Sequence, residues 1–191
     1  MQYLSVGRDN ISKEKFRPVM DLNDGSSKPV HGFWFTEYDP RFPNYNVWVN
    51  YLLEHSEILY HKCNGIDMYN QTCLVATLND DAKIYNLNDI LTFNDLIKYY
   101  SRNQKDISYE LLSHDFDGIF VDTKALLNIF EVPIMRLCMA YSVSTLLLFN
   151  PDCIDYYQSG TVILDRDSFD EFSLEYAEYE IVCDKTRKRV R

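Results

Sequence analysis

Residues 116–122 read FDGIFVD, a short apolar run that follows a turn signal and ends at an acidic residue. Asp117-Gly118 predicts a turn, because glycine accepts backbone angles that other residues avoid. Ile119–Val121 favours a strand. Asp122 then stands at the end of that strand. There its carboxylate either caps a helix over Thr123–Phe130 or takes part in chemistry, and the functional interpretation of the chain depends on which role it has.

The bulk composition indicates a folded globular protein. The chain has 191 residues, 46% of them hydrophobic and 15% aromatic, which is enough for one domain with a substantial core. A formal net charge of −10 argues against general nucleic-acid binding. The basic residues 185–191 are the exception. They form either a solvated chain end or a contact to phosphates or to the acidic segment 165–180 of the same chain.

Cysteine usage and hydropathy indicate the cellular compartment. The five cysteines are odd in number and lack CxxC spacing, so we expect neither a disulfide framework nor a metal site. Cys73 and Cys138 lie in apolar runs, where we expect them to be small buried side chains. The N-terminus shows no signal pattern, and the apolar run around 146–149 is too short to span a bilayer. These features predict a cytoplasmic protein without membrane association, and they give no oligomeric state.

Helical and strand patterns mix along the chain without regular alternation, which favours the α+β class. The patterns predict strands over Gln2–Val6, Gly32–Thr36, Thr72–Leu78, Lys83–Leu87, Ser142–Phe149 and Thr161–Leu164. They predict helices over Asn46–His55, Asp89–Tyr100 with Asn88 as its cap, Ser108–His114 and Ser168–Ile181. The strand Ser142–Phe149 is continuously apolar, so we expect it to be central and buried on both faces.

Two further features could carry chemistry. Arg8 follows a glycine at the end of the first predicted strand, where it either holds a diphosphate or is an ordinary surface side chain. Alternation along Gly32–Thr36 places Phe33 and Phe35 on one face, and such aromatic side chains either fill the core or stack on a ligand ring. The sequence contains no phosphate-binding loop, dinucleotide fingerprint, nucleophile elbow or HExxH motif.

Six short motifs follow one another in a recognisable order over about residues 3–157. They are Tyr3–Arg8, Gly32–Thr36, a helix containing Trp48, a strand pair containing Lys83–Leu87, Phe116–Asp122 and Ser144–Ile154. The ordered set resembles bacterial and phage proteins with the ADP-ribosyltransferase fold. The resemblance implies a split mixed β-sheet flanked by helices, formed by residues 1–164. Residues 165–191 would add an acidic helix and a basic tail, packed on or appended to the same domain.

The resemblance also assigns site residues. The fold binds NAD between its split sheets, and the positions that correspond to its NAD contacts here are Ser5, Arg8, Phe35, Thr36, Tyr38 and Trp48. The first strand lacks the histidine that such proteins often carry near Ser5. For the catalytic acid the resemblance points to Asp122, with Glu131 as a second candidate in a flexible excursion after the strand.

Three functional hypotheses follow. The first is an NAD-dependent mono-ADP-ribosyltransferase, an enzyme of the glycosyltransferase class, that modifies a protein target as a toxin, effector or phage counter-defence protein. It would act in the cytoplasm of the producing cell or of an infected or target cell. The second is a catalytically degenerate protein of the same fold that binds a partner or a nucleotide. The third is an unrelated α+β binding module.

Overall fold

The computed structural model describes residues 1–8, 10–22, 28–55, 70–104, 106–165 and 178–190. Its eight described strands are β1 (Gln2–Val6), β2 (Phe33–Tyr38), β3 (Asn70–Leu78), β4 (Ile84–Leu87), β5 (Gly118–Val121), β6 (Thr145–Leu148), β7 (Ile154–Leu164) and β8 (Tyr179–Cys183). The described α-helices are α1 (Val47–Glu54), α2 (Ile90–Tyr99), α3 (Tyr109–Leu112), α4 (Thr123–Leu126) and α5 (Val132–Tyr141). The mixture confirms the predicted α+β class.

The chain divides into two compact units. The first unit contains Met1–Ile11, Thr36–Leu78 and Ile154–Val190. The second unit contains Ser12–Phe35 and Asn79–Cys153. The residues of the first unit therefore come from three separate stretches of the sequence, with β1, β3, β7 and β8 among its strands.

The first unit is built on antiparallel strands. Its order is β1, β3, β7 and β8, and the last residues of β2 pair with the other edge of β1. Helix α1 begins after Asn46 and buries Val49, Leu52 and Leu53, which share one face at helical spacing. These side chains pack with buried strand residues, including Leu4 and Val75.

The second unit has a mixed sheet. Strands β4 and β5 are parallel, β5 pairs antiparallel with β6, and β6 pairs antiparallel with the first residues of β2. All four residues of β6 are buried, which confirms the prediction of a central strand. Its core combines strand residues with the inner faces of α2 and α5, including Ile119, Val121, Leu147, Phe93, Leu96, Ile134 and Leu137.

The stretch FDGIFVD forms β5 as predicted, but its glycine has a different role. Gly118 lies within the strand, and a Cβ atom there would meet the Leu147 carbonyl oxygen at 2.7 Å and Leu148 Cδ2 at 2.9 Å. The residue is therefore required by the close approach of β6. Asp117 fixes the start of the strand, because its carboxylate accepts hydrogen bonds from Lys83 N at 2.9 Å and Asn150 Nδ2 at 2.9 Å.

Several predicted boundaries are wrong. Asp89, not Asn88, caps α2, because its side chain accepts from Thr92 N in a reciprocal capping box. The strand predicted at Thr161–Leu164 is the end of the eleven-residue β7, whose pairing with β3 continues back to Ile154. The two predicted strands on either side of residues 79–81 do not form a pair. Strand β3 lies between β1 and β7, while β4 pairs with β5.

The helix predicted over Ser168–Ile181 falls largely outside the described residues, and its last part is a strand. In β8, Tyr179 and Ile181 are buried while Glu180 is exposed, which is the two-residue period of a strand. Helix α5 was not predicted. Its buried face has helical spacing at Ile134, Leu137, Cys138 and Tyr141.

The described part of the basic tail is attached to β7. Lys188 and Tyr157 exchange two backbone hydrogen bonds of 2.8 Å each, and the Arg187 guanidinium carbon lies 4.4 Å from the centre of the Tyr156 ring. Residues 187 and 188 are thus held by contacts to β7. Cys73 and Cys138 are buried, as predicted. Within the described residues, no helix has both the length and the apolar character needed to cross a membrane.

Candidate functional site

Asp122 lies where β5 ends and α4 begins. Its backbone N–H donates to the Leu87 carbonyl oxygen at 2.9 Å, so it stands beside the end of the parallel strand β4. Its side-chain Oδ1 accepts a hydrogen bond from Ala125 N at 3.2 Å, which makes Asp122 the N-cap of α4. The capping alternative considered from the sequence is therefore present in the structure.

The same carboxylate has a second, long-range partner. Ser144 Oγ donates to Asp122 Oδ1 at 3.2 Å, and the Thr123 and Ser144 hydroxyl oxygens lie 3.3 Å apart. Thr123 and Ser144 are buried, while Asp122 is half-buried. Both hydrogen bonds to the Asp122 carboxylate go to Oδ1, and Oδ2 accepts none from any described residue. The two hydrogen bonds to Oδ1 thus fix the carboxylate.

Glu131, the second candidate acid, belongs to the same unit but not to this cluster. It occupies the N-cap position of α5 without a side-chain capping bond, and its side chain is exposed. Glu131 lies in the connection between the helices α4 and α5, after β5. No hydrogen bond or ion pair links its carboxylate to Asp122 or to another described residue.

In the first unit, Thr36 and Trp48 meet at a residue that the sequence had marked only as a helix start. Asn46 is 1% exposed, and its Oδ1 accepts from Thr36 Oγ1 at 3.2 Å and from Trp48 N at 3.0 Å. Its Nδ2 donates to the Glu37 carbonyl oxygen at 2.9 Å. The Thr36 hydroxyl is thereby engaged inside the protein.

Tyr179 completes this buried polar cluster. Its hydroxyl accepts from Asn46 N at 2.5 Å and donates to Asn50 Oδ1 at 2.7 Å. Burial raises the pKa of Tyr179 to about 12, so the hydroxyl stays protonated as this bonding requires. Because its polar atoms are satisfied by one another, the cluster supports the start of α1.

The six residues assigned to NAD differ sharply in exposure. Four have almost no accessible surface: Ser5 at 6%, Phe35 at 2%, Thr36 at 3% and Tyr38 at 7%. Burial, followed by the neighbouring Cys183, raises the pKa of Tyr38 to about 12. Arg8 is exposed, and the half-buried Trp48 stacks on Tyr51 with ring centres 5.4 Å apart. Arg8 and Trp48 are therefore the two with side-chain surface to offer a ligand.

Ser144 is the residue that sequence reasoning missed. The predicted strand began at Ser142, which made Ser144 an ordinary strand position. In the structure, Ser142 ends α5 with a φ of 60°, and β6 begins at Thr145. Ser144 consequently lies just before β6 and opposite the end of β5, where it reaches Asp122.

Comparison of the chain with models of protein families, with curated proteins and with solved structures finds no match. Functional inference therefore rests on the residues and geometry described above, together with the ordered motifs of the sequence.

Proposed function

We propose that this chain is an NAD-dependent mono-ADP-ribosyltransferase that modifies a protein target, with Asp122 as its catalytic acid. The observation that supports this proposal is the hydrogen bonding of the Asp122 carboxylate. Oδ1 is fixed by Ala125 N and Ser144 Oγ, while Oδ2 accepts no hydrogen bond from the described residues. A carboxylate held in this way is preorganised to stabilise positive charge.

The proposed chemistry needs such a group. When the bond between nicotinamide and ribose C1′ breaks, nicotinamide leaves with the electron pair and positive charge develops on the ribose. Oδ2 of Asp122 would stabilise that charge more strongly in the transition state than in the ground state, which is the requirement for catalysis. A nucleophilic side chain of the target then bonds to C1′ and loses its proton to solvent.

Among the residues for which the resemblance implies NAD contact, Arg8 and Trp48 have accessible side chains. The exposed Arg8 offers a guanidinium for the diphosphate, and Trp48 offers part of a ring face. Ser5, Phe35, Thr36 and Tyr38 are buried. These four residues would hold β1 and β2 in place, since their side chains have little surface for direct contact with NAD.

A specific observation favours a second candidate, a catalytically degenerate protein that binds a nucleotide or a partner. Four of the six positions assigned to NAD are buried, and Asp122 already has a structural role as the N-cap of α4. The first strand also lacks a histidine. In this case the chain would bind a nucleotide or a partner without cleaving the bond between nicotinamide and ribose.

Two measurements on the purified protein distinguish these candidates. Thermal unfolding with increasing NAD tests binding, because NAD at about 100 times its Kd stabilises the folded state by about 2.7 kcal/mol. Release of free nicotinamide during prolonged incubation with NAD tests cleavage. Stabilisation with release supports the transferase, and stabilisation without release supports the degenerate binder. Absence of both overturns the NAD proposal and leaves a degenerate protein that binds a partner, or an unrelated binding module.

A further inference from the structure

A cavity of about 720 Å³ lies within the second unit. It is lined by residues of α2 and α5 and by Gln104, Asp106 and Ile107 from the loop that follows α2. Its volume is within the range of small-molecule sites in proteins. Neither Asp122 nor any of the six residues assigned to NAD lines it. The cavity is therefore separate from the site proposed for catalysis.

Part of the cavity lining is apolar. Phe93 and Ile97 come from α2, Leu137 comes from α5, and Ile107 ends the loop. Phe93 and Leu137 belong to the core, and the two isoleucines pack against it. The half-buried Ile97 and Ile107 offer most of this apolar surface, since Phe93 and Leu137 are almost fully buried. Contact of a ligand with it removes apolar surface from water.

Arg136 adds an exposed guanidinium to the same cavity, whose lining also holds two carboxylates. Although Asp106 and Glu131 also line it, Arg136 forms no ion pair or hydrogen bond with any described residue. The Asp106 carboxylate instead accepts from Asn103 Nδ2 at 2.7 Å. A guanidinium has the geometry to bind a carboxylate or a phosphate through two parallel hydrogen bonds.

Hydrogen bonds connect the described residues of the loop that lines the cavity. Ser101 and Ile107 form an antiparallel bridge, and Asp106 N donates to Asn103 Oδ1 at 2.9 Å. Gln104 lies in this loop with a φ of 59°, in the left-handed region that few non-glycine residues adopt. These bonds lower the ordering cost of binding, and the Gln104 amide can both donate and accept hydrogen bonds.

We propose that this cavity binds a small molecule that carries a carboxylate or phosphate on an apolar body about the size of an aromatic ring. Arg136 binds the anionic group, and Gln104 forms hydrogen bonds with polar substituents. The apolar body contacts the apolar part of the lining, which consists of Phe93, Ile97, Ile107 and Leu137. The inference does not depend on the function proposed for Asp122. It requires only that a ligand binds in this cavity of the second unit.

Four probes test whether binding to the full chain requires both an anionic group and an apolar ring. Binding is measured by ligand-observed NMR and calorimetric titration. Phenyl phosphate and benzoate combine a ring with an anion, benzyl alcohol lacks the anion, and inorganic phosphate lacks the ring. We expect phenyl phosphate or benzoate to bind at least about tenfold more tightly than the other two. Whichever of phenyl phosphate and benzoate binds more tightly shows whether the site prefers a phosphate or a carboxylate. Equal binding of benzyl alcohol, equal binding of inorganic phosphate, or no binding of either anionic ring compound overturns the proposal.

Two variants locate the binding. Arg136→Gln should weaken the preferred probe at least about tenfold, because a charge-assisted hydrogen bond is lost. Asn94→Trp places a large ring at a cavity-lining position on the exposed surface of α2 and should block binding while circular dichroism stays unchanged. Lys124→Gln removes an exposed cation of α4 outside the cavity and is the matched control. Unchanged binding in Arg136→Gln, or an equal loss in Lys124→Gln, contradicts the assignment.

Discussion

Ser144 Oγ donates a hydrogen bond to Asp122 Oδ1 across 3.2 Å, although the two residues are 22 positions apart in the chain. The pairing of Val121 with Thr145 in the antiparallel strands β5 and β6 brings them together. The position of the Asp122 carboxylate is therefore determined by sheet register as well as by the local helix start. That dual restraint distinguishes Asp122 from a simple N-cap, which needs only its own helix.

Substitutions at Asp122 separate catalysis from capping. Asn and Asp are similarly good N-caps, so Asp122→Asn should keep the stability of the wild-type protein while losing the negative charge. Asp122→Ala should lower the free energy of unfolding by about 1 kcal/mol, because the cap is lost. We expect both variants to lose nicotinamide release and to retain NAD binding. Urea unfolding, product assays and NAD titration measure these three properties.

The outcome for Asp122→Asn decides the role of the acid. If this variant releases nicotinamide as fast as the wild-type protein, Asp122 is a structural cap and the catalytic assignment is wrong. Glu131→Gln is the companion variant, since Glu131 was the second acid predicted from the sequence. It should leave nicotinamide release unchanged, because Glu131 does not contact the Asp122 cluster.

Ser144→Ala should impair positioning of the acid without changing the acid itself. Loss of the hydrogen bond to Oδ1 leaves the carboxylate less fixed, so we expect kcat for nicotinamide release to fall about tenfold with little change in KM for NAD. Ser144→Thr retains a hydroxyl and should recover part of kcat. A fall in stability with unchanged kcat would show that the bond serves the fold alone.

Much of the local structure could be predicted from the sequence, because it depends on short-range patterns. The apolar runs gave β1 and β6 within a few residues, and Asn46 marked the start of α1. The length of β7 could not be predicted, since Ser159-Gly160 has the composition of a turn. In the sheet, Gly160 instead admits the neighbouring strand, where an added Cβ would lie 2.6 Å from the Val182 carbonyl oxygen.

The candidate site was predictable in part for the same reason. The position of Asp122 at a strand end follows from local sequence. Its bond to Ser144 depends on a pairing between distant strands, which local patterns do not determine. The meeting of Thr36 and Trp48 at Asn46 likewise combines a strand and a helix with the distant Tyr179. Burial of Ser5, Phe35, Thr36 and Tyr38 likewise depends on contacts between distant parts of the chain.

Arg8→Ala should weaken NAD binding if Arg8 contacts the diphosphate. Loss of a charge-assisted hydrogen bond predicts a rise in the Kd for NAD of about tenfold, with unfolding free energy nearly unchanged because Arg8 is exposed. Arg17→Ala removes another exposed guanidinium and is the matched control. An unchanged Kd in Arg8→Ala, measured by calorimetric titration, would assign Arg8 to the ordinary surface.

Stability at acid pH should depend on Asp89. Hydrogen bonds from the backbone and side chain of Thr92 lower the pKa of the Asp89 carboxyl below its ordinary value. The ionised group therefore stabilises the folded state above about pH 4, and this contribution is lost as pH falls through the lowered pKa. Asp89→Asn keeps a capping oxygen that does not titrate. The difference in unfolding free energy between the wild-type protein and this variant should be constant at neutral pH. It should shift in favour of the variant as pH falls through the lowered pKa, as urea unfolding across pH would measure.

Gly118→Ala tests whether β6 approaches β5 so closely that only glycine fits at this position of the stretch FDGIFVD. The added methyl group would meet the Leu147 carbonyl oxygen at 2.7 Å, and backbone at the centre of the sheet moves less readily than a side chain. We expect the free energy of unfolding to fall by about 1–3 kcal/mol, as in overpacked cores. Asn86→Ala, at an exposed position of the neighbouring strand β4, should change it by less than about 0.5 kcal/mol. A Gly118→Ala variant as stable as the wild-type protein would mean that β6 lies farther from β5, and the bond between Ser144 and Asp122 would then need to be reconsidered.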